Sequence, residues 1–252
     1  MIRTVVMLIF WALALLPAAL FCFPYTVLTG DAGLLYKVAI WCAGAGVRLV
    51  GVRSRAVGLE KLDASKRYIF MANHVSNIDP PLLLPWIPGR TAVMVKKELF
   101  DYPLLGRAMR LGSFVPVDRG NRDAGIAAVR EAKKVVDQGL SMTIFPEGKR
   151  SFDGRLLPFK RGPFYLAMEC GLSIVPITLL GTHEAMPKGR FAIEPGMVTV
   201  NFHAPIDPKD FSDRDTLMHA VRNTIDAGLP PELRQTEELQ ATSAATAPAS
   251  KL

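Results

Sequence analysis

The first fifty residues carry the strongest apolar signal in the chain. From Val5 to Phe23 the sequence VVMLIFWALALLPAALFCF contains no charge. As one helix rising about 1.5 Å per residue it would extend roughly 28 Å, close to the ~30 Å of a bilayer's hydrocarbon. Arg3 precedes the run, as a basic residue precedes a secretory signal. The run is longer than a signal core, and Pro24-Tyr25 is a poor cleavage context, so it reads as an uncleaved anchor. A turn-prone TGDAG (29–33) leads into a second apolar stretch, Leu34 to Val52, which holds Lys37 and Arg48 and is followed by Arg53. Charge at mid-bilayer is expensive. This stretch therefore reads as an interfacial helix whose basic side chains reach the headgroups. A helical hairpin dipped into one leaflet accommodates both stretches, and so does one span followed by a surface helix.

Beyond Arg53 short apolar runs alternate with helical periodicity, the pattern of an α/β domain. Strands are predicted at Tyr68–Ala72, Thr91–Val95, Ser113–Val117, Ser141–Phe145, Ser173–Leu180, Phe191–Ile193 and Val198–His203. A helix is predicted from Asn121, a suitable cap, to Gln138, with Ile126, Val129, Val135 and Val136 on one face. Another is predicted from Asp213 to Ala227. The Ala/Ser/Thr-rich stretch from Gln235 to Leu252 has no apolar period and reads as a disordered tail. The expected organisation is a membrane-embedded helical pair (1–53), one catalytic domain (54–234) and that tail (235–252).

Composition sharpens this picture. Half of the residues are hydrophobic, yet the net charge is +7, which suits an anionic lipid surface or a phosphate-bearing substrate. The basic residues form no long run and lack interleaved aromatics, so nucleic acid is not an expected partner. Cys22, Cys42 and Cys170 are odd in number, without CxxC spacing, and sit among apolar neighbours; they read as buried small hydrophobes, not a disulfide framework or a zinc site.

Two polar segments follow strand-like runs and could carry chemistry. In Asn73-His74-Val75-Ser76-Asn77-Ile78-Asp79-Pro80, His74 falls at a strand-to-helix turn, and Asp79-Pro80-Pro81 has the look of a helix start. Asp79 could accept the imidazole Nδ1–H, fixing the tautomer and leaving Nε2 as a base; histidine titrates near neutrality and suits that task. A packing histidine beside a capping aspartate would have the same spacing. The second segment, Phe145-Pro146-Glu147-Gly148-Lys149-Arg150-Ser151, offers a carboxylate, a glycine and a guanidinium whose planar fork matches a phosphate. Lys96 and Arg119 stand at two further strand ends, and loops after the carboxyl ends of strands in an open α/β sheet converge on one crevice. Neither Ser76 nor a cysteine lies in a nucleophile context such as GxSxG, which disfavours a hydrolase. His183, His203 and His219 lack ligand spacing and read as structural.

These blocks together resemble the glycerolipid acyltransferase family, most closely its 1-acyl-glycerol-3-phosphate acyltransferases, over about Ile69 to Ile206. His74 to Asp79 resembles the family's HxxxxD motif. Lys96 with Glu98-Leu99 and Phe114 to Arg119 resemble its second block, Phe145 to Ser151 its FPEG block, and Val175-Pro176-Ile177 its fourth. The Lys160-Arg161-Gly162 step also fits. Lys149 departs from the pattern, standing where the family commonly has Thr.

The resemblance implies a single α/β domain with a mixed sheet flanked by helices, and transfer of a fatty acyl group from acyl-carrier protein or coenzyme A to the sn-2 hydroxyl of lysophosphatidic acid. It implies His74 as base and Asp79 as its orienting partner. Lys96, Arg119 and Arg150 would hold the acceptor phosphate, Glu147 would bind a glycerol hydroxyl, and Gly148 would line the pocket. No cofactor is expected beyond the thioester co-substrate, and no metal. Membrane lipids are expected partners, with the catalytic domain on the cytoplasmic face of the inner membrane. Another lyso-lipid acceptor is the alternative, such as an ornithine-lipid precursor or a lysophospholipid under remodelling. A non-catalytic lipid-binding protein would be expected to break HxxxxD or FPEG, and both are intact.

Overall fold

The computed structural model describes residues 1–118 and 122–234. The predicted helix cap Asn121, the predicted phosphate ligand Arg119 and the 235–252 stretch lie outside the described residues.

The apolar N-terminal run is helical, but it is not one helix. α1 (Ile2–Pro17) passes into a π-helical turn (Ala18–Cys22) and then α2 (Phe23–Thr29). Pro17 and Pro24 explain the interruption. Each lacks an N–H for the helical ladder and crowds the preceding turn, and a widened π turn relieves that crowding. The expectation of one unbroken 28 Å helix is corrected accordingly: among the described residues no helix is long and apolar enough to cross a membrane. Gly30, at φ 72°, closes α2, and Asp31 accepts the Gly33 N–H at 2.7 Å to begin α3 (Gly33–Leu49). The indole N–H of Trp11 donates to the Cys42 carbonyl, tying α1 to α3.

The strands are β1 (Val52–Val57), β2 (Ile69–Ala72), β3 (Thr91–Lys96), β4 (Val115–Val117), β5 (Ser141–Ile144), β6 (Ile174–Leu180) and β7 (Gly196–Phe202). They form one mixed sheet in the order β1-β7-β6-β2-β5-β3-β4. β6, β2, β5, β3 and β4 run mutually parallel, while β7 is antiparallel to β6 and carries β1 parallel to itself at the edge. The central strands β2 and β5 are buried at every position; β2, IFMA, is a continuous apolar run, while β5, SMTI, buries two hydroxyls, Ser141 accepting the Tyr68 N–H and Thr143 bonding Thr91. Their remaining helical companions are α4 (Asp79–Leu83), α5 (Pro103–Leu111), α6 (Arg122–Asp137), α7 (Gly162–Cys170), α8 (Thr182–Ala185) and α9 (Arg214–Ala227), the last capped by Asp213.

Each face of the sheet carries a core. On one face Phe70, Val175, Val198 and Phe202 pack with Ile78, Leu82 and Leu83 around α4, with Val47 and Val50 from the end of α3, and with Met7 of α1. On the other, Met71, Met142 and Ile174 meet Ala132 of α6, Phe164 of α7 and Val221 of α9. α1 and α3 are thus packed into the first core. Residue 53, where the anchor was expected to end, lies inside β1.

Two strand assignments change. Phe191–Ile193 is not a strand; it belongs to the irregular segment between α8 and β7. The edge position is taken by β1, whose sequence VRSRAV buries only Val52 fully. An edge strand needs no continuous apolar face, so its polar content disguised it.

Candidate active site

Because β2 and β5 are parallel neighbours, the loops leaving their carboxyl ends lie side by side. One holds His74 and Asp79, the other Glu147 to Ser151. The Ser151 N–H donates to the His74 carbonyl at 2.8 Å, so the two loops share a backbone hydrogen bond at the histidine itself. Asn73 fixes the start of its loop: its amide donates to the Leu179 carbonyl at 3.1 Å and accepts the Leu179 N–H at 2.7 Å, pinning the end of β2 to β6.

Asp79 turns its carboxylate back along the loop. Oδ2 lies 2.7 Å from His74 Nδ1 and accepts the N–H groups of Val75 and Ser76, each at 2.8 Å. Its other oxygen, Oδ1, is buried and accepts nothing from the protein. Asp79 is fully buried and His74 is 9% exposed. A carboxylate oxygen accepts only, so the ring nitrogen facing it carries the proton and Nε2 keeps its lone pair. The imidazole is stacked on Phe145, with ring centroids 4.2 Å apart, which holds its plane. The alternative of a capping aspartate does not describe this geometry: both N–H groups that Asp79 accepts precede the helix. Ser76 is enclosed too, its hydroxyl donating to the Met186 carbonyl at 2.6 Å.

Glu147 differs from expectation. It is buried, 1% exposed, and its carboxylate accepts the His74 N–H at 2.7 Å through Oε1 and the Leu157 N–H at 2.8 Å through Oε2. Both of its oxygens face backbone N–H groups beneath His74, where the expectation had a glycerol hydroxyl. Burial pushes its carboxyl up to about 8, against the opposing pull of those two N–H donors. Arg222, which donates to the Leu157 carbonyl at 2.7 Å, also pulls it downward through its charge. Gly148 sits at φ 71°, and its N–H donates to the Phe145 carbonyl; that left-handed turn requires glycine and carries the chain to Arg150.

Arg150 is half-buried in the FPEG loop, while Lys149 is exposed. Lys96 is exposed and pairs with Glu98 at 3.0 Å beside its own strand end. The neighbouring Lys97 pairs with Asp118. One cation the motifs did not indicate is Lys188, between α8 and β7. It donates to the Arg150 carbonyl at 2.8 Å and stands 3.8 Å over the Phe152 ring. A lone loop lysine carries no sequence signal for this. His203 bonds Thr178 at 2.8 Å, in keeping with a structural histidine.

The acyltransferase family model matches residues 53–180. A 1-acyl-sn-glycerol-3-phosphate acyltransferase of Limnanthes douglasii is 39% identical over 69% of this chain and 59% of its own length. The human 1-acyl-sn-glycerol-3-phosphate acyltransferase alpha is 29% identical over 70% of this chain and 64% of its own. The chain thus spans about three fifths of the plant relative. The crystal structure of the 1-acyl-sn-glycerophosphate acyltransferase PlsC from Thermotoga maritima superposes with a TM-score of 0.75 at 28% identity, covering 95% of both chains.

Proposed function

The chain belongs to the acyltransferase family, and from that premise we propose that it transfers a fatty acyl group from acyl-carrier protein or coenzyme A to the sn-2 hydroxyl of 1-acyl-glycerol-3-phosphate, giving phosphatidic acid. The observation that carries the reading is the buried 2.7 Å contact between Asp79 Oδ2 and His74 Nδ1. It leaves Nε2 available to take the hydroxyl proton as the oxygen attacks the thioester carbonyl. Asp79 then stabilises the imidazolium, and the tetrahedral intermediate collapses by expelling a thiolate, which receives the proton from Nε2. A positioned base of this kind contributes typically about 10²–10⁴ in rate. Arg150, half-buried one residue from the Ser151–His74 backbone bond, holds the acceptor phosphate. Glu147 fixes the loop.

The acceptor lies in a membrane, and the N-terminal helices are suited to meet it there. Leu20, Phe21, Leu28 and Trp41 are each at least 67% exposed. A hairpin lying in one leaflet fits the interrupted helix better than a span does. The soluble donor would then approach from the cytoplasmic side of the membrane, drawn by the basic surface.

Lys149, which replaces a common threonine and is exposed beside Arg150, is the observation that favours a second reading, a different lyso-lipid headgroup. Membranes containing the full chain are to be incubated with labelled lysophosphatidate and other lyso-lipids, with each donor in turn. Phosphatidate as principal product supports the first reading. Free fatty acid alone, or a product from another acceptor alone, refutes it.

A further inference from the structure

Phe152 is 68% exposed and Phe191 is 69% exposed. Neither belongs to the N-terminal helices, yet a chain of contacts joins both to the site and to α1. The Lys188 ammonium lies 3.8 Å over the Phe152 ring and donates to the Arg150 carbonyl. Gly189, one residue on, sits close enough that a Cβ there would meet the Phe152 ring at 3.9 Å. The Phe191 carbonyl accepts the hydroxyl of Thr4 on α1, and Arg3 pairs with Glu194 at 3.7 Å. The exposed cations Lys149 and Arg190 neighbour the two rings in sequence, three residues before Phe152 and one before Phe191. The acidic neighbours are already engaged, Glu194 by Arg3 and Asp153 by the Ser151 hydroxyl at 2.8 Å.

Exposed aromatic rings are costly in water, and a core has no use for them at these positions. Aromatics flanked by lysine and arginine are what an anionic lipid interface accepts, because the rings enter the headgroup boundary while the cations meet phosphates. From these contacts we infer that Phe152 and Phe191, with Lys149 and Arg190, form a second membrane-seating lip. It occupies the catalytic domain itself, continuous with α1 and adjoining the FPEG loop, and its partner is an anionic bilayer. The lip presses the mouth of the site onto the leaflet, so a lysolipid passes to Arg150 and His74 without crossing water. This inference rests on the acyltransferase reading for its purpose, though not for its binding test.

The test compares the wild-type chain with F152S/F191S, which alters no residue assigned to catalysis or acceptor binding, and with K149Q/R190Q, which is read for vesicle binding alone. The first readout is flotation with phosphatidylglycerol/phosphatidylcholine vesicles and with pure phosphatidylcholine vesicles at limiting lipid. The aromatic double variant is expected to partition on the order of tenfold more weakly to both. The cation variant should lose affinity several-fold for the anionic vesicles alone, and high salt should erase that difference. The second readout is acyl transfer. The acceptor concentration needed for half-maximal rate should rise for F152S/F191S with vesicle-borne lysophosphatidate and stay at the wild-type value with a short-chain, water-soluble acceptor. Unchanged flotation by folded double variants, checked by thermal unfolding, overturns the lip. A wild type that binds vesicles through the lip but transfers no acyl group leaves the lip standing and removes the enzyme reading instead. An F152W/F191W variant that keeps wild-type partitioning shows that aromatic seating is what is measured, and its failure to do so counts against the inference.

Discussion

Replacing Asp79 by Asn separates charge from hydrogen bonding at the histidine. The amide oxygen can take the place of Oδ2 and still accept from His74 Nδ1 and from the Val75 and Ser76 N–H groups. The opposite orientation would set an NH₂ against those two backbone donors, so the oxygen side is held and the tautomer of His74 is preserved. What is lost is the negative charge facing the imidazolium formed during attack. Two unit charges 2.7 Å apart attract by about 6 kcal/mol at an effective dielectric of about 20. With the proton about half transferred at the transition state, about 3 kcal/mol is forfeited, a fall in kcat of roughly 10². The NH₂ takes the place of Oδ1, which has no protein partner, at a further cost of about 1–3 kcal/mol in folding stability. Release of free thiol from the acyl donor, followed continuously, gives kcat and KM, and thermal unfolding gives the stability cost separately. A kcat within about threefold of wild type, or a loss confined to KM, refutes the assignment of the Asp79 charge to the transition state.

Further outcomes follow from neighbouring contacts. His74→Ala should lower acyl transfer by about 10²–10⁴ while vesicle flotation stays at the wild-type level; substantial residual rate would remove the base. Arg150→Ala should raise KM for phosphate-bearing acceptors on the order of tenfold, the worth of one charge-assisted hydrogen bond, and an unchanged KM would take Arg150 out of the phosphate site. In Glu147→Gln one amide oxygen replaces two carboxylate acceptors and an NH₂ meets a backbone N–H, so stability should fall by about 1–3 kcal/mol and kcat should fall with little change in acceptor KM; a KM effect alone would restore the substrate-contact role. Glu147 is also a pH reporter: because its folded value is raised from 4.5 to about 8, its favourable contribution is complete below pH 4.5 and lost as pH rises towards 8. Denaturant unfolding between those values should show a decline in the wild type that is absent in Glu147→Gln.

What the sequence made legible, and what it hid, divides along physical lines. β2 was visible because its four positions, buried on both faces, are all apolar; β5 was legible despite the buried hydroxyls of Ser141 and Thr143, and the adjacency of the two strands brought His74 and the FPEG loop together. β1 was hidden because an edge strand tolerates Arg53, Ser54 and Arg55, which also resemble the flank of an anchor. The break in the N-terminal helix was written in Pro17 and Pro24, but hydropathy averages over a missing N–H and does not register it. The direction of Glu147 could not be read at all: a carboxylate in a polar turn has the same letter whether it reaches for a substrate or back to the His74 and Leu157 amides. The HxxxxD spacing was legible for a deeper reason. Five residues are what the chain needs to leave a strand, turn, and begin a helix so that one carboxylate oxygen gathers two loop N–H groups and the imidazole of the residue that opened the turn. The bonds that fold the loop are those that set the tautomer, so a chain that keeps this turn keeps the base oriented, and the motif reports local structure and chemistry as a single fact.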